Sequence, residues 1–246
     1  MKPLRLVTWN CRSGSVSARL DDLASLSPDI VFLQECAPDE EPPLSGPVIT
    51  RRVNPRKGIA LASVSDRCRI VAVESSENVD LAPQSIAAHV TQLDGDGEEA
   101  AAFFLLGVWA HPPDYADDVL RAVQAHASAF RAGPAVVMGD FNSGTRLFPG
   151  TPEPATRGHL ELVRRLGALG LVSAYHAFHG MEHGQETHPT YYHRAKLAEP
   201  WHIDFCFVPE AWAGRVTSVH VGGPAELATS DHRAVMVEIS GQARMS

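Results

Sequence analysis

"LRLVTWNCRSGSVSARLDDLASLSPDIVFLQE", residues 4–35, decides the fold class. Residues 4–10 form an apolar run that ends on Asn10 and reads as a strand. Residues 15–27 space Val16, Leu20, Leu23 and Leu26 along one helical face. Pro28 and Asp29 stop that helix, and residues 30–35 make a second buried strand. Strand, helix and strand in succession point to an α/β protein. Both strands also end in a polar residue, Asn10 and Glu35.

Further along, residues 37–57 are rich in Pro and charge and read as loop, with a short strand near Val48. Strands are predicted at 58–63, 68–73, 85–93 and 101–110, the last ending at His111. "LDGDGEEA" (93–100) is a hairpin turn, and it lacks the regular oxygen spacing and terminal Glu of a calcium loop. A helix over 114–131 buries Val119, Leu120, Val123, Ala127 and Phe130. "AVVMGD" (135–140) is the next strand, and a helix near 157–167 presents Leu160, Leu162, Val163 and Leu166. A loop-rich stretch, 174–200, precedes closing strands at 202–208, 215–221 and 233–239. The early crossover and the later hairpins together favour two sheets packed face to face with helices outside.

With 246 residues, 44% of them hydrophobic and 20% charged, the chain can bury a large core, and no linker composition divides it. One domain over 1–246 is expected. A net charge of -8 argues against a protein that coats nucleic acid by charge alone. A nucleic-acid enzyme remains compatible, because a divalent metal and a local basic loop can carry the contact. Cys11, Cys36, Cys68 and Cys206 are scattered without metal-type spacing and read as reduced thiols. There is neither a signal-peptide core nor an apolar run of membrane-spanning length. The expectation is a cytoplasmic location, no membrane and no obligate protein partner.

Polar signatures recur at strand ends: "TWN" (8–10), "LQE" (33–35), "WAH" (109–111), "GDFN" (139–142), "HID" (202–204) and "SDH" (230–232). Asp204, between Ile203 and Phe205, needs a partner if it is charged. The acids Glu35, Asp140, Asp204 and Asp231, the amides Asn10 and Asn142, and His111 and His232 supply what phosphodiester hydrolysis requires. Carboxylates hold a metal, an Asp fixes an imidazole, and amides and imidazole donate to charge developing on phosphorus.

The ordered set "TWN", "LQE", "GDFN", "IDF", "SDH" resembles the endonuclease/exonuclease/phosphatase superfamily, whose fold is deoxyribonuclease I-like. The motifs run from residue 8 to 232, essentially the whole chain. The resemblance implies an α/β (α+β) four-layer αββα sandwich of two mixed, mostly antiparallel sheets. It implies Mg2+ or Mn2+ at Glu35 with Asn10 and Asp231. It gives Asp140 the attacking water, Asn142 the phosphate, and Asp204 the support of His232. His111 would be a phosphate ligand or general acid. The implied activity is a metal-dependent phosphodiesterase, foremost a nuclease on DNA. The alternative is a phosphatase or phosphodiesterase on a small-molecule or lipid-headgroup phosphate ester.

The abasic-site branch resembles "NxD" at the first motif and carries Tyr at the position of His111, so Asn10, Cys11, Arg12 and His111 point away from it. Arg12 resembles the deoxyribonuclease I-type branch, but the acid that would partner His111 there is not evident near Lys57. Substrate contacts are expected from Arg12, Arg56 and Lys57, and from Tyr191, Arg194 and Trp201, where aromatics among bases can stack on nucleobases. The six histidines at 176, 179, 183, 188, 193 and 202 read either as loop histidines or as part of a transition-metal site.

Overall fold

The computed structural model describes residues 2–37, 48–74, 84–145, 158–222 and 229–241. The chain opens with β1 (Leu4–Asn10), α1 (Val16–Asp22), β2 (Ile30–Cys36), β3 (Val48–Asn54), β4 (Lys57–Ser63), β5 (Cys68–Ala72), β6 (Ser85–Leu93) and β7 (Glu99–Trp109). It continues with α2 (Tyr115–Ala125), α3 (Ala127–Ala132), β8 (Ala135–Asp140), α4 (His159–Ala168), β9 (Leu171–Ser173) and α5 (Ala174–His179). The ribbon β10 (Tyr191–Tyr192) and β11 (Pro200–Trp201), then β12 (Asp204–Pro209), β13 (Val216–Val221) and β14 (Val235–Ile239), complete it.

Two six-stranded sheets form the centre, in the orders β13-β14-β1-β2-β4-β3 and β5-β6-β7-β8-β12-β9. Pairing is antiparallel except for β1 with β2 and β7 with β8. The period of two in a strand explains the unbroken apolar runs. Leu4, Leu6, Ile30 and Phe32 face Phe103, Leu105, Val136 and Met138 between the sheets. Their sequence neighbours Val7, Val31 and Leu33 face Val16, Leu20 and Leu23 on the outside. On the other outer face, Phe104, Leu106, Val137 and Phe207 meet Val119, Val123, Leu162 and Leu166. The layers therefore run helix, sheet, sheet, helix. They press closely at Gly107, where an added Cβ would fall 2.5 Å from the Phe32 ring.

Several local expectations change. Residues 48–54 are a full edge strand rather than loop, and Arg51 and Arg52 suit an edge paired on one side only; residues 38–47 of that loop reading lie outside the described ones. The first helix is shorter, with Ser15 Oγ accepting Ala18 N–H at 3.3 Å as its cap and a 3-10 turn over Ala24–Leu26. The 114–131 helix breaks at His126, which leaves helical geometry (φ −121°, ψ 24°) while its buried ring packs 5.5 Å from Phe104. Leu160 is 61% exposed and does not join the apolar face of α4. The stretch 174–200 contains α5, and the β10–β11 ribbon closes it at Trp201. Apolar side chains on helical or alternating spacing are too few there to show either element.

Candidate active site

The carboxyl ends of β1, β2 and β8, the start of β12 and the turn before β14 meet at one rim. Asn10 closes β1, and its Nδ2 donates to Glu35 Oε1 at 3.2 Å and to Asp140 Oδ2 at 2.9 Å. Both amide protons thus lie between two acids, one on each sheet, and Oδ1 accepts Arg12 N–H at 3.0 Å. Nitrogen, rather than oxygen, is what Asn10 turns toward the acids.

Glu35 sits where the β2–β4 register shifts between Gln34 and Cys36, with φ 61°. Such a bulge re-aims a side chain, and here it brings the carboxylate to Asn10 and to Lys57, whose ammonium donates to Oε2. Arg12 (φ 61°) and Asn142 (φ 47°) are also left-handed, a cost that concentrates at functional sites.

Asp140 ends β8 and is buried. The glycine before it has φ 147°, and an added Cβ there would lie 1.9 Å from the Val108 carbonyl oxygen. Gly139 is therefore required by the close approach of β7, and it sets the direction in which Asp140 leaves the strand. Asn142 N–H donates to Asp140 Oδ1 at 2.9 Å, and Asn142 Nδ2 donates to Asp140 Oδ2 at 3.1 Å and to the Ala110 carbonyl at 3.0 Å. In this arrangement Asn142 holds Asp140, with both of its amide protons committed.

The antiparallel register of β8 and β12 sets Asp204 opposite Asp140. Like charges in that position repel. His232 answers the repulsion: its Nδ1 lies 2.9 Å from Asp204 Oδ2, and its Nε2 lies 3.9 Å from Asp140 Oδ2. Burial and the facing Asp204 raise the Asp140 carboxyl well above the usual carboxylate range, against the pull of His232, Asn10 and Asn142. Burial would lower the His232 ring, but Asp204 and Asp140 outweigh it and push the imidazole above its ordinary value.

Two hydroxyls missing from the sequence assignment lock this frame. Ser230 Oγ donates to the Asn10 carbonyl at 2.7 Å and accepts His232 N–H at 3.0 Å. Thr190 Oγ1 accepts the N–H groups of Ile203 and Asp204, each at 3.0 Å. Ser230 lies inside the quoted "SDH", so its proximity to His232 was a usable signal. Thr190 gives none, because its role depends on a fold-back over 13 residues.

Asp231 is near enough to influence the ionisation of both His232 and Tyr191. The Tyr191 ring packs 4.4 Å from that of His232, and its hydroxyl hydrogen-bonds His193 at 3.1 Å. Trp201 pairs opposite Tyr191 in the β10–β11 ribbon, so both aromatics are anchored beside the site. His111 stands next to the Ala110 carbonyl that holds Asn142. Its Nδ1 donates to the Trp109 carbonyl at 2.9 Å, and its backbone N–H donates to Asp118. A backbone carbonyl thus orients the ring. Arg12, Arg56 and Arg194 are exposed, while Lys57 is engaged by Glu35.

Glu35, Asp140 and Asp204 gather at this rim, linked by Asn10 and His232, with Lys57 on Glu35. Ligand atoms of Asp140, Asp204 and His232 lie within 4.8 Å of one another. Paired carboxylates at a rim where burial and Asp204 raise the Asp140 carboxyl fit a divalent cation.

The model described as the Endonuclease/Exonuclease/phosphatase family matches residues 7–232. The chain belongs to that family. Its members are metal-dependent phosphoester hydrolases. Among solved structures, an AP endonuclease from Archaeoglobus fulgidus is similar at a TM-score of 0.70 and 19% identity, covering 96% of this chain and 99% of that one. The endonuclease domain of TRAS1, a telomere-specific non-LTR retrotransposon, gives 0.68 and 15%, covering 98% and 100%. The 3'-5' exonuclease NExo from Neisseria meningitidis gives 0.64 and 21%, covering 96% and 100%. These likenesses establish the deoxyribonuclease I-like αββα sandwich. Among curated protein sequences, none matches the chain.

Proposed function

We propose that this family member is a single-domain Mg2+- or Mn2+-dependent phosphodiesterase that hydrolyses DNA. The observation that carries the reading is the continuous chain Asp204–His232–Asp140–Asn10–Glu35, which joins both sheets at one rim. With Asp204 on Nδ1, the His232 ring offers Nε2–H to a phosphate oxygen. Asp140, held by Asn10 and Asn142, takes the proton of the attacking water. On this reading His111 and Arg12 would contact the phosphate, Arg56 and Arg194 would add substrate contacts, and Tyr191 and Trp201, anchored beside His232, would stack on the substrate. Bound at Glu35 and Asp231, the metal would offset the phosphate charge and polarise the scissile bond. DNA as substrate draws support from the neighbours' own descriptions, one of them NExo bound to a product DNA hairpin. Four cysteines that remain thiols support a cytoplasmic setting.

One observation favours the small-ester alternative. Lys57 is taken up by Glu35, which thins the basic rim on a chain of net charge -8. The test is a time course on supercoiled plasmid, a single-stranded oligonucleotide and an aryl phosphodiester, with Mg2+, Mn2+ or EDTA, beside Asp140→Asn purified identically. Metal-dependent cutting of either polymer, absent in the variant, is expected. Intact polymers with a hydrolysed aryl ester would discard DNA and keep the site.

A further inference from the structure

A second cluster of buried donors lies behind β12, outside the phosphoester rim. His176, in α5, is buried, and its Nε2 sits 3.0 Å from Glu186 Oε1. Its Nδ1 meets Ser173 Oγ at 2.8 Å. The His183 ring stacks on it, centroids 3.7 Å apart and planes 18° apart. One ligand atom from each of His176, His183 and Glu186 falls within 4.8 Å of the others. Two more imidazoles border the trio: His159, 5.5 Å from His183 between ring centroids, and His202, 6.1 Å from His176.

We propose that His176, His183 and Glu186 form a binding site for a transition-metal ion of the Zn2+ class, with His159 and His202 as flanking donors. Two imidazole nitrogens and one carboxylate are borderline donors that suit Zn2+, Co2+ or Ni2+, whereas Mg2+ prefers an all-oxygen shell. Tetrahedral Zn2+ with bonds near 2.1 Å separates its ligand atoms by about 3.4 Å, so closing the trio from within 4.8 Å needs side-chain shifts of roughly 1.4 Å or less. The stacked rings would pivot apart to converge on the ion.

The flanking rings supply the independent observation. His159 and His202 are buried, and Nε2 of each makes no hydrogen bond; the same holds for His183 Nδ1. His202 Nδ1 donates to the His188 carbonyl at 2.8 Å, which leaves Nε2 as a buried lone pair. A second-sphere carbonyl that fixes the tautomer is how metal-binding histidines are commonly prepared. His159 Nδ1 hydrogen-bonds Ser143 Oγ at 3.0 Å, a contact that orients the ring; with the hydroxyl accepting, it too would leave Nε2 as a lone pair. Buried imidazole nitrogens without a partner are costly, and where the proton sits on the other ring nitrogen a cation would satisfy them. Metal binding at His176 Nε2 requires the neutral ring to carry its one proton on Nδ1, where Ser173 Oγ, 2.8 Å away, accepts it.

The test uses chelator-stripped protein in excess Mg2+, titrated with Co2+ by visible absorption and with Zn2+ against a chromophoric chelator. One equivalent is expected in wild type and in Asp140→Asn. At least about tenfold weaker binding is expected in His183→Ala and in Glu186→Gln, with near-UV circular dichroism reporting their folding. X-ray absorption on Zn2+-loaded wild type is expected to show imidazole ligands. Unchanged affinity in folded variants, binding lost in Asp140→Asn, no uptake by wild type, or an oxygen-only shell would each overturn the site. The outcome is independent of whether the rim cleaves DNA.

Discussion

His232 and His202 are both buried beside β12, yet their environments drive them in opposite directions. Burial alone disfavours the charged ring in each. His232 has Asp204 against Nδ1 and Asp140 beyond Nε2, and it is pushed up. His202 has only a backbone carbonyl on Nδ1, and it is pushed down to about 4. A contacting carboxylate makes a buried histidine a charged partner for phosphate, and a carbonyl makes it a neutral donor.

The largest expected effect comes from erasing that distinction. Asp204→Asn should return His232 to a depressed ionisation like that of His202, read by imidazole NMR titration. It should also cut turnover at least about a hundredfold, as loss of a positioned acid–base group does. His232→Ala and Asp140→Asn should each do the same to turnover, and wild-type-like rates in either would sink the rim assignment. A raised His232 signal surviving in Asp204→Asn would break the comparison.

A smaller effect tests the other region. In metal-free protein, the folded-state values of His159, His183 and His202 lie below that of an unfolded histidine. The unfolded chain therefore takes up protons first as pH falls from about 6.5. The stability from these groups is whole above that pH and is lost progressively toward about 4. Calorimetry with EDTA should show a melting temperature falling on the order of 5 °C or more across this window. Run in Asp140→Asn, which removes the raised carboxyl that gains stability over the same window, a flat profile would mean that the cluster is hydrated rather than buried. The smallest effect is expected at Tyr191. Its Phe variant keeps the ring against His232 and should stay within about threefold of wild-type turnover. Its Ala variant, which removes the packing, should lose about tenfold.

The layered architecture was legible because both faces of the central strands are covered, so β2, β7 and β8 carry unbroken apolar runs and β1 is interrupted only at Arg5 and Thr8 before Asn10. The residues of the rim were legible because each ends or begins such a run. Their hydrogen-bond duties were not. That Asn10 presents nitrogen to two acids, or that Asn142 spends both amide protons inside the site, follows from a bulge at Glu35 and a left-handed turn at Asn142. Neither has a signature in residue type. The cluster around His176 was visible only as a density of histidines, since Ser143 and His159 reach it from far along the chain. The region 174–200 was underread because its order comes from ring packing and side-chain hydrogen bonds rather than from periodicity.

The amide of Asn10 has one further implication. Its two protons end on acids that belong to different sheets, so a group about one hydrogen bond long measures the spacing of the sandwich. The same spacing is set deep inside by the Phe32 ring resting on Gly107. The rim thus works as a caliper on the core: whatever loosens or swells the contact between the layers is reported, far away, as a change in how Asp140 is aimed.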